Sequence, residues 1–179
     1  MKVELKVNGK TVQVEIPEEQ LKELGVIKER SRTGYERVKK GEMYYLIDTE
    51  YNSMLKITEF NNQEDEQCYN TGNYYNDKVI AENNARADRL LRCLRQWQAQ
   101  NDKVISVSDW KNDKINKYCF AYNYSLNELN IGIERKLRRP NAIYFSTSQK
   151  TEEAIEVFKD ELLWYFTEYV QRLDEAQNG

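Results

Sequence analysis

The sequence predicts an α+β fold: a mainly antiparallel sheet from two hairpin–strand–helix units with two long helices, plus an N-terminal β-hairpin. Residues 141–154 read N-A-I-Y-F-S-T-S-Q-K-T-E-E-A, which is a short apolar strand, a Ser/Thr cluster and the start of a long helix. Residues 72–85, G-N-Y-Y-N-D-K-V-I-A-E-N-N-A, are a fainter copy in the same order. Each copy follows a predicted β-hairpin, so we interpret the chain as two related units in one domain.

Residues 1–27 are predicted to form a separable β-hairpin and a short helix. Apolar residues alternate on both sides of Asn8-Gly9, which is a strong signal for a hairpin turn. Pro17 and the two acidic residues after it open a helix that ends near Gly25. A lone hairpin is marginally stable, so we expect it to pack as an edge ribbon on the main sheet. The alternative is an arm for dimerisation or for a partner. Residues 28–40 are predicted to form a linker and a first strand.

The first unit is predicted over residues 41–101. Strands at 43–48 and 54–60 flank a turn, and the polar run 61–70 reads as a loop. Asn73–Tyr75 is the short strand that precedes the long helix, which begins after a capping Asn or Asp. The apolar face of that helix consists of Ile80, Ala87, Leu90, Leu91, Leu94 and Trp97.

The second unit is predicted over residues 102–179. Its strands are predicted at 118–124, 129–137 and 143–145. Before them, Val104-Ile105 reads as a strand and residues 109–116 as a turn. Ser146–Ser148 caps a last helix at about 150–175. The apolar stripe of this helix consists of Ile155, Phe158, Leu162, Tyr165, Phe166, Tyr169 and Leu173. We expect both units to share one sheet, and Tyr74-Tyr75 to correspond to Tyr144-Phe145.

The composition argues against several classes of function. The chain contains no histidine, which removes the usual general base, the Ser-His and Cys-His pairs and the commonest metal ligand. We therefore expect no enzyme, no cofactor and no metal site. Cys68, Cys93 and Cys119 are odd in number and widely spaced, which fits neither a disulfide framework nor a zinc site. With no apolar N-terminal segment, we expect no signal peptide, no membrane contact and a cytoplasmic location.

Two basic clusters are the candidates for binding nucleic acid. Arg135, Lys136, Arg138 and Arg139 form the densest positive run, and Arg89 and Arg92 lie on the polar face of the first long helix. Basic side chains near aromatic rings can hold a phosphate backbone or stacked bases. Because the net charge of the chain is −3, a solvated strand end is the simpler interpretation of the run.

The outer face of the last helix is the candidate site for a protein partner. A period of 3.6 residues places Val157, Glu161, Trp164 and Glu168 opposite the apolar stripe. An exposed tryptophan flanked by acids would anchor a partner surface that is apolar at its centre and basic at its rim. On this interpretation, changing Trp164 to alanine weakens binding and hardly changes stability. The alternative is that the N-terminal hairpin or the other long helix covers Trp164.

Three segments carry a resemblance to a known family. They are G-Y-E-R-V-K-K-G-E-M-Y-Y-L-I-D at 34–48, Y-N-T-G-N-Y-Y-N at 69–76 and A-I-Y-F-S-T-S-Q-K-T-E-E-A-I-E at 142–156. Together they resemble small accessory proteins of Firmicutes phages and prophages, whose pattern is G-E-x-Y-Y-x-I, then R-Y-x-x-G-N-Y-F, then a strand and an E-E-A helix. The likeness covers about residues 34–170. The chain departs from the pattern at Cys68-Tyr69-Asn70, where R-Y is usual, and at the start of the first long helix.

The resemblance implies a phage origin. By analogy it implies a non-enzymatic inhibitor of a bacterial defence system, such as an anti-CRISPR protein that binds a host effector, for example a Cas nuclease, in the bacterial cytoplasm. The alternative is a nucleic-acid-binding phage accessory protein that uses a local basic patch. No functional residue is carried over, because most such proteins have no assigned activity. The sequence leaves the identity of the partner and the oligomeric state open.

Overall fold

The computed structural model describes residues 2–7, 10–15, 17, 20, 33–51 and 53–169. The chain divides into two compact units, the N-terminal unit Met1–Thr33 and the core unit Gly34–Gly179. The predicted turn at Asn8-Gly9, the short helix ending near Gly25 and most of the predicted linker lie outside the described residues. Leu173 of the predicted apolar stripe lies outside them as well.

The N-terminal unit contains the predicted hairpin. Strand β1 (Lys2–Val7) pairs antiparallel with β2 (Lys10–Glu15). The register places Val3 opposite Val14 and Leu5 opposite Val12, as the alternation of apolar residues requires. The N-terminal β-hairpin is therefore confirmed.

The core unit repeats the order hairpin, short paired segment, long helix. Its elements in chain order are β3 (Met43–Asp48), β4 (Ser53–Thr58), α1 (Gln63–Asn70), α2 (Lys78–Asn101), α3 (Val107–Lys111), β5 (Lys117–Asn123), β6 (Glu128–Glu134), β7 (Tyr144–Phe145) and α4 (Ser148–Thr167). Strands β3 and β4 form one antiparallel sheet, and a second sheet has the order β6-β5-β7. The predicted α+β fold class is confirmed. Each hairpin has its own sheet among the described strands, instead of the one common sheet that we expected.

Two local predictions are wrong because helix-starting signals were overlooked. The predicted loop over residues 61–70 contains α1, and the predicted turn over 109–116 overlaps α3. Both helices begin with a capping box, in which an Asn or Ser and an Asp three residues later bond to each other's backbone N–H. In α3 these hydrogen bonds from Ser106 lower the pKa of Asp109. Val104 and Ile105, predicted as a strand, lie in irregular structure before this cap.

The two repeats place their short segments in the same way. Tyr75 N donates to Tyr45 O at 2.9 Å and Tyr45 N donates to Tyr75 O at 2.7 Å, which joins this segment antiparallel to β3. Phe145 of β7 is joined antiparallel to β5, the corresponding strand of the second repeat. The N-cap of the long helix follows two positions later in both, at Asp77 and Thr147. The aromatic pairs before the helices are buried and equivalent, as predicted.

In the first repeat, the side chain of Asn73 takes the place of a second backbone pairing with β3. Its Oδ1 accepts from Ile47 N at 2.8 Å, and its Nδ2 donates to Ile47 O at 2.9 Å. The amide thereby satisfies both backbone groups of Ile47, as a neighbouring strand would. The predicted strand Asn73–Tyr75 is a single bridge extended by this side chain.

The apolar face of α2 packs as predicted and joins the two repeats. Ile80 and Ala81 lie in one cluster with Ile47 and Tyr75. About three to four turns further along α2, buried leucines meet α4 and the second sheet. This larger cluster consists of Leu90, Leu94 and Leu162, with Phe120, Leu129, Ile143, Ile155, Phe158, Tyr165 and Phe166 packed around them.

A buried carboxylate, Glu59, organises the first repeat. Its side chain is fully buried, and Arg37 bonds both of its oxygens, from Nε at 3.3 Å and from Nη2 at 3.2 Å. The Tyr74 hydroxyl donates to it at 2.7 Å and Asn61 N at 2.8 Å. Four donors thus compensate the cost of taking this charge out of water. Burial and the bond to Glu59 raise the pKa of Tyr74, and the bonds to Glu59 and Glu66 raise the pKa of Arg37.

A second buried carboxylate, Asp65, fixes the start of α1. It accepts from Phe60 N at 2.8 Å, from Asn62 N at 3.1 Å and from the Tyr44 hydroxyl at 3.0 Å. Burial opposes the ionisation of Asp65, but these hydrogen bonds outweigh it and hold its pKa below the usual value. The polar run that reads as a loop in the sequence is therefore tied into the core.

Gly34 should tolerate a side chain poorly, because its backbone and its surroundings both exclude one. Its φ is +89°, and a Cβ would lie 2.9 Å from Ile80 Cδ1. We expect Gly34→Ala to lower the free energy of unfolding by about 2 kcal/mol, from left-handed strain and from overpacking against buried Ile80. Urea unfolding measures this loss.

Gly41 is the matched control for this substitution. Its φ of +91° carries the same strain, but nothing lies within 4 Å of its Cβ position. Gly41→Ala should therefore lose only about 1 kcal/mol. Equal losses in the two variants would contradict the close contact with Ile80.

Candidate nucleic-acid interface

Three arginines from two distant parts of the sequence line one groove of the core unit. Arg95 stands on α2 next to buried Leu94, whose packing holds this part of the helix against the core. Arg138 and Arg139 lie in the connection between β6 and β7. Together with residues 140–142 they line an open groove of about 380 Å³. We call this groove and the pocket beside it the arginine groove.

The pocket beside the three arginines is less polar. It has a volume of about 350 Å³, and its walls include Ile105, Trp110 and Tyr144 as well as Gln98. Arg95, Arg138 and Ala142 line both parts, so the basic part and the less polar part are continuous. The Trp110 and Tyr144 rings meet edge to face, with centroids 4.9 Å apart.

The short helix α3 carries Trp110, and Lys117 ties the end of this helix to the start of the basic run. The Lys117 side chain is fully buried, and Nζ donates to Ile115 O and Arg135 O, both at 2.8 Å, and to Asn112 O at 3.2 Å. Nζ also lies 5.2 Å from the centre of the Trp110 ring. Three charge-assisted bonds in the interior hold this corner rigidly, so Trp110 has a defined position in the groove wall.

Two of the three arginines of the groove form no ion pair with a described residue, although the Asp102 carboxylate also lines the pocket. In the part of the chain that the structure describes, neither Arg95 nor Arg138 has an acidic partner. The Arg138 guanidinium lies 5.8 Å from the centre of the Trp110 ring. Arg139 Nη2 pairs with Glu134 at 2.8 Å and remains largely exposed. The groove is thus locally positive on a chain whose net charge is −3.

The predicted basic run does not act as one surface. Arg138 and Arg139 line the groove, while Arg135 Nε donates to Asn116 at 3.0 Å. Lys136 pairs with Asp113 at 3.1 Å, and this contact lowers the pKa of Asp113. Neither Arg135 nor Lys136 is among the residues that line the groove.

The basic residues predicted on α2 lie away from the groove. Arg89 is within 3.8 Å of Glu161 of α4, and Arg92 is exposed on the polar face of the helix. The arginine of α2 that does line the groove is Arg95, which the sequence places at the border of the apolar face. Trp110 was missed because residues 109–116 read as a turn, although the capping box is a signal for the helix.

The expected exposure of Trp164 is wrong. Its side chain is 7% exposed, and the Arg86 guanidinium lies 3.9 Å from the centre of its ring. Arg86 also holds Glu161 through Nε at 3.0 Å, so α2 covers this part of α4. The error follows from a kink: Phe158 has φ −113° and ψ 18°, which interrupts the uniform period of 3.6 residues on which the prediction rests.

The remaining residues of the predicted partner site do not form one surface. Val157 precedes the kink and is 61% exposed, as expected. Glu168 is exposed and ends α4, where its backbone N–H donates to Trp164 O at 2.8 Å. Glu161 is engaged by Arg86 and Arg89. With Trp164 buried, the face lacks the apolar centre that the prediction required.

The chain matches no protein-family model, and no curated protein or solved structure is significantly similar to it. None of the helices that the structure describes is long and apolar enough to cross a membrane. Among the residues that the structure describes, no group of three or more His, Cys, Asp or Glu side chains is arranged to hold a metal ion. Function is therefore inferred from the arginine groove and from the resemblance.

Proposed function

We propose that this protein binds nucleic acid, with the phosphate backbone held in the arginine groove. Arg95, Arg138 and Arg139 contact phosphate oxygens, since a guanidinium presents several N–H donors in a planar fork that suits them. The proteins that the chain resembles supply the biological setting, a phage accessory protein acting in a bacterial host cell.

The observation that carries the proposal is the pair of arginines without acidic partners. A folded protein of net charge −3 has enough carboxylates to neutralise its surface arginines, yet Arg95 and Arg138 converge without one among the described residues. Backbone phosphates would supply the missing negative charge, and binding would release the counterions condensed on the nucleic acid. The local charge of the groove therefore matters more here than the net charge of the chain.

Removing either arginine should weaken binding by about tenfold and make it less dependent on salt. We expect Arg95→Ala and Arg138→Ala each to lower affinity for a labelled oligonucleotide at low salt, because each loses a phosphate contact. The slope of log affinity against log salt should fall by about one for each variant. Fluorescence polarisation over a range of salt concentrations measures both quantities.

The control variants are Arg89→Ala and Lys136→Ala. They remove the same charge, but Arg89 lies near Glu161 and Lys136 pairs with Asp113, away from the groove. Their affinities and salt slopes should stay close to those of the wild type. Equal losses in all four variants would show a non-specific charge effect, and an absence of binding at low salt would reject the proposal.

Inhibition of a bacterial defence effector by a non-enzymatic phage protein stays a prediction that rests on the resemblance. Its partner would be a host effector protein, such as a Cas nuclease, and Val157 and Glu168 are the residues of the predicted contact surface that are exposed. Plasmid-interference assays in cells that carry a defence system test it. If protection also requires Arg95 and Arg138, inhibition acts through the nucleic acid of the effector; if no common system is blocked, this prediction fails.

A further inference from the structure

We infer that the arginine groove takes a single strand and not a duplex, with one unpaired base held in the pocket beside Trp110. This inference rests on the proposed function and names its substrate class. It follows from the division of the groove into a basic part and a less polar part.

The basic part and the less polar part of the groove are adjacent, as the phosphate and the base of one nucleotide are. Arg95 and Arg138 line both parts, so a phosphate bound by these guanidinium groups has its own base within reach of the pocket. The pocket beside Trp110 measures about 350 Å³, within the range of roughly 300–1,000 Å³ typical of small-molecule sites. A site of this size accepts one base and its sugar.

The walls of the pocket suit a nucleobase. Ile105 and Trp110 supply apolar and aromatic surface, on which the flat face of any base can pack, and buried Tyr144 supports the Trp110 ring edge to face. The Asp102 carboxylate is occupied, because it accepts from Ser146 N at 2.7 Å and from the Ser146 hydroxyl. The Gln98 amide has no hydrogen-bond partner among the described residues, so it can donate to and accept from the edge of a base.

A duplex does not fit this arrangement. In a duplex the bases are stacked and paired in the interior, and a base reaches a protein pocket only after it is unstacked and unpaired. A single strand presents its bases without that cost. Because the groove offers both a phosphate site and a base site, the single strand makes both contacts and the duplex only the first.

Three probes separate the two contacts: a short single-stranded oligonucleotide, the same strand in a duplex, and the same strand with its bases removed at abasic sites. We expect the intact single strand to bind at least about tenfold more tightly than either of the others. Gln98→Ala and Trp110→Phe should lower its affinity about fivefold and leave that of the abasic strand unchanged. Arg95→Ala should lower both affinities.

The outcomes distinguish this inference from the proposed function. Equal affinity for the duplex or for the abasic strand would overturn the base site and leave phosphate binding intact. No binding of any probe would reject both. Trp110→Phe keeps an aromatic ring against Tyr144, and its thermal unfolding shows whether it folds. If it does not fold, Gln98→Ala decides, and an unchanged affinity of this variant for the intact strand overturns the inference.

Discussion

Replacing Glu59 with alanine should lower the free energy of unfolding by about 4 kcal/mol, since it removes a fully buried carboxylate and leaves its donors, the partly exposed Arg37 among them, without their acceptor. The Arg37 guanidinium would keep its charge and lose both of its bonds to the carboxylate. The Tyr74 hydroxyl and Asn61 N, also bonded to Glu59, would be left without their acceptor. Unsatisfied buried donors cost more than the net gain of the bonds they made. Unfolding in urea or guanidinium measures the loss.

The control for Glu59 is its exposed counterpart, Glu66. This residue also pairs with Arg37, but its side chain is 52% exposed, so water replaces the lost contact. Glu66→Ala should therefore change the free energy of unfolding by less than about 1 kcal/mol. If both substitutions have the same small effect, Glu59 is not buried as the structure describes.

The residues that carry the phage-like resemblance are the ones that hold the fold. Arg37 and Tyr74 bind the buried Glu59, Asn73 completes the edge of β3, and Gly34 has the positive φ that its turn requires. The two repeats and the long helices could be predicted for a different reason: alternating apolar residues mark the strands, and N-caps and a period of 3.6 residues mark the helices. The three segments therefore matter for the fold of this chain, and they say little about a binding site.

The groove could not be predicted in the same way. Two of its arginines, Arg95 and Arg138, are separated by two strands and a short helix in the chain. They meet only because α2 and the connection before β7 pack against the same core, and no local pattern encodes that encounter. Both arginines and Trp110 lie outside the three segments that carry the resemblance.

At Trp164 the structure differs most from the sequence-based expectation. The uniform helical period predicts an exposed anchor whose loss hardly affects stability. The structure instead buries the ring under Arg86, beside Tyr169 at 5.6 Å between ring centroids. We expect Trp164→Ala to lower the free energy of unfolding by about 4 kcal/mol, because it leaves a cavity and removes a cation–π contact. Chemical denaturation of the purified variant measures it.

Val157→Ala, on the same helix but before the kink, is the control for this loss. Its side chain is exposed, so the change should stay within about 0.5 kcal/mol. A large loss for Trp164→Ala with an unchanged Val157→Ala establishes that the two residues stand in different environments. If both variants are as stable as the wild type, Trp164 is exposed in solution. The outer face of α4 then returns as the surface for a protein partner, and the tryptophan becomes its anchor.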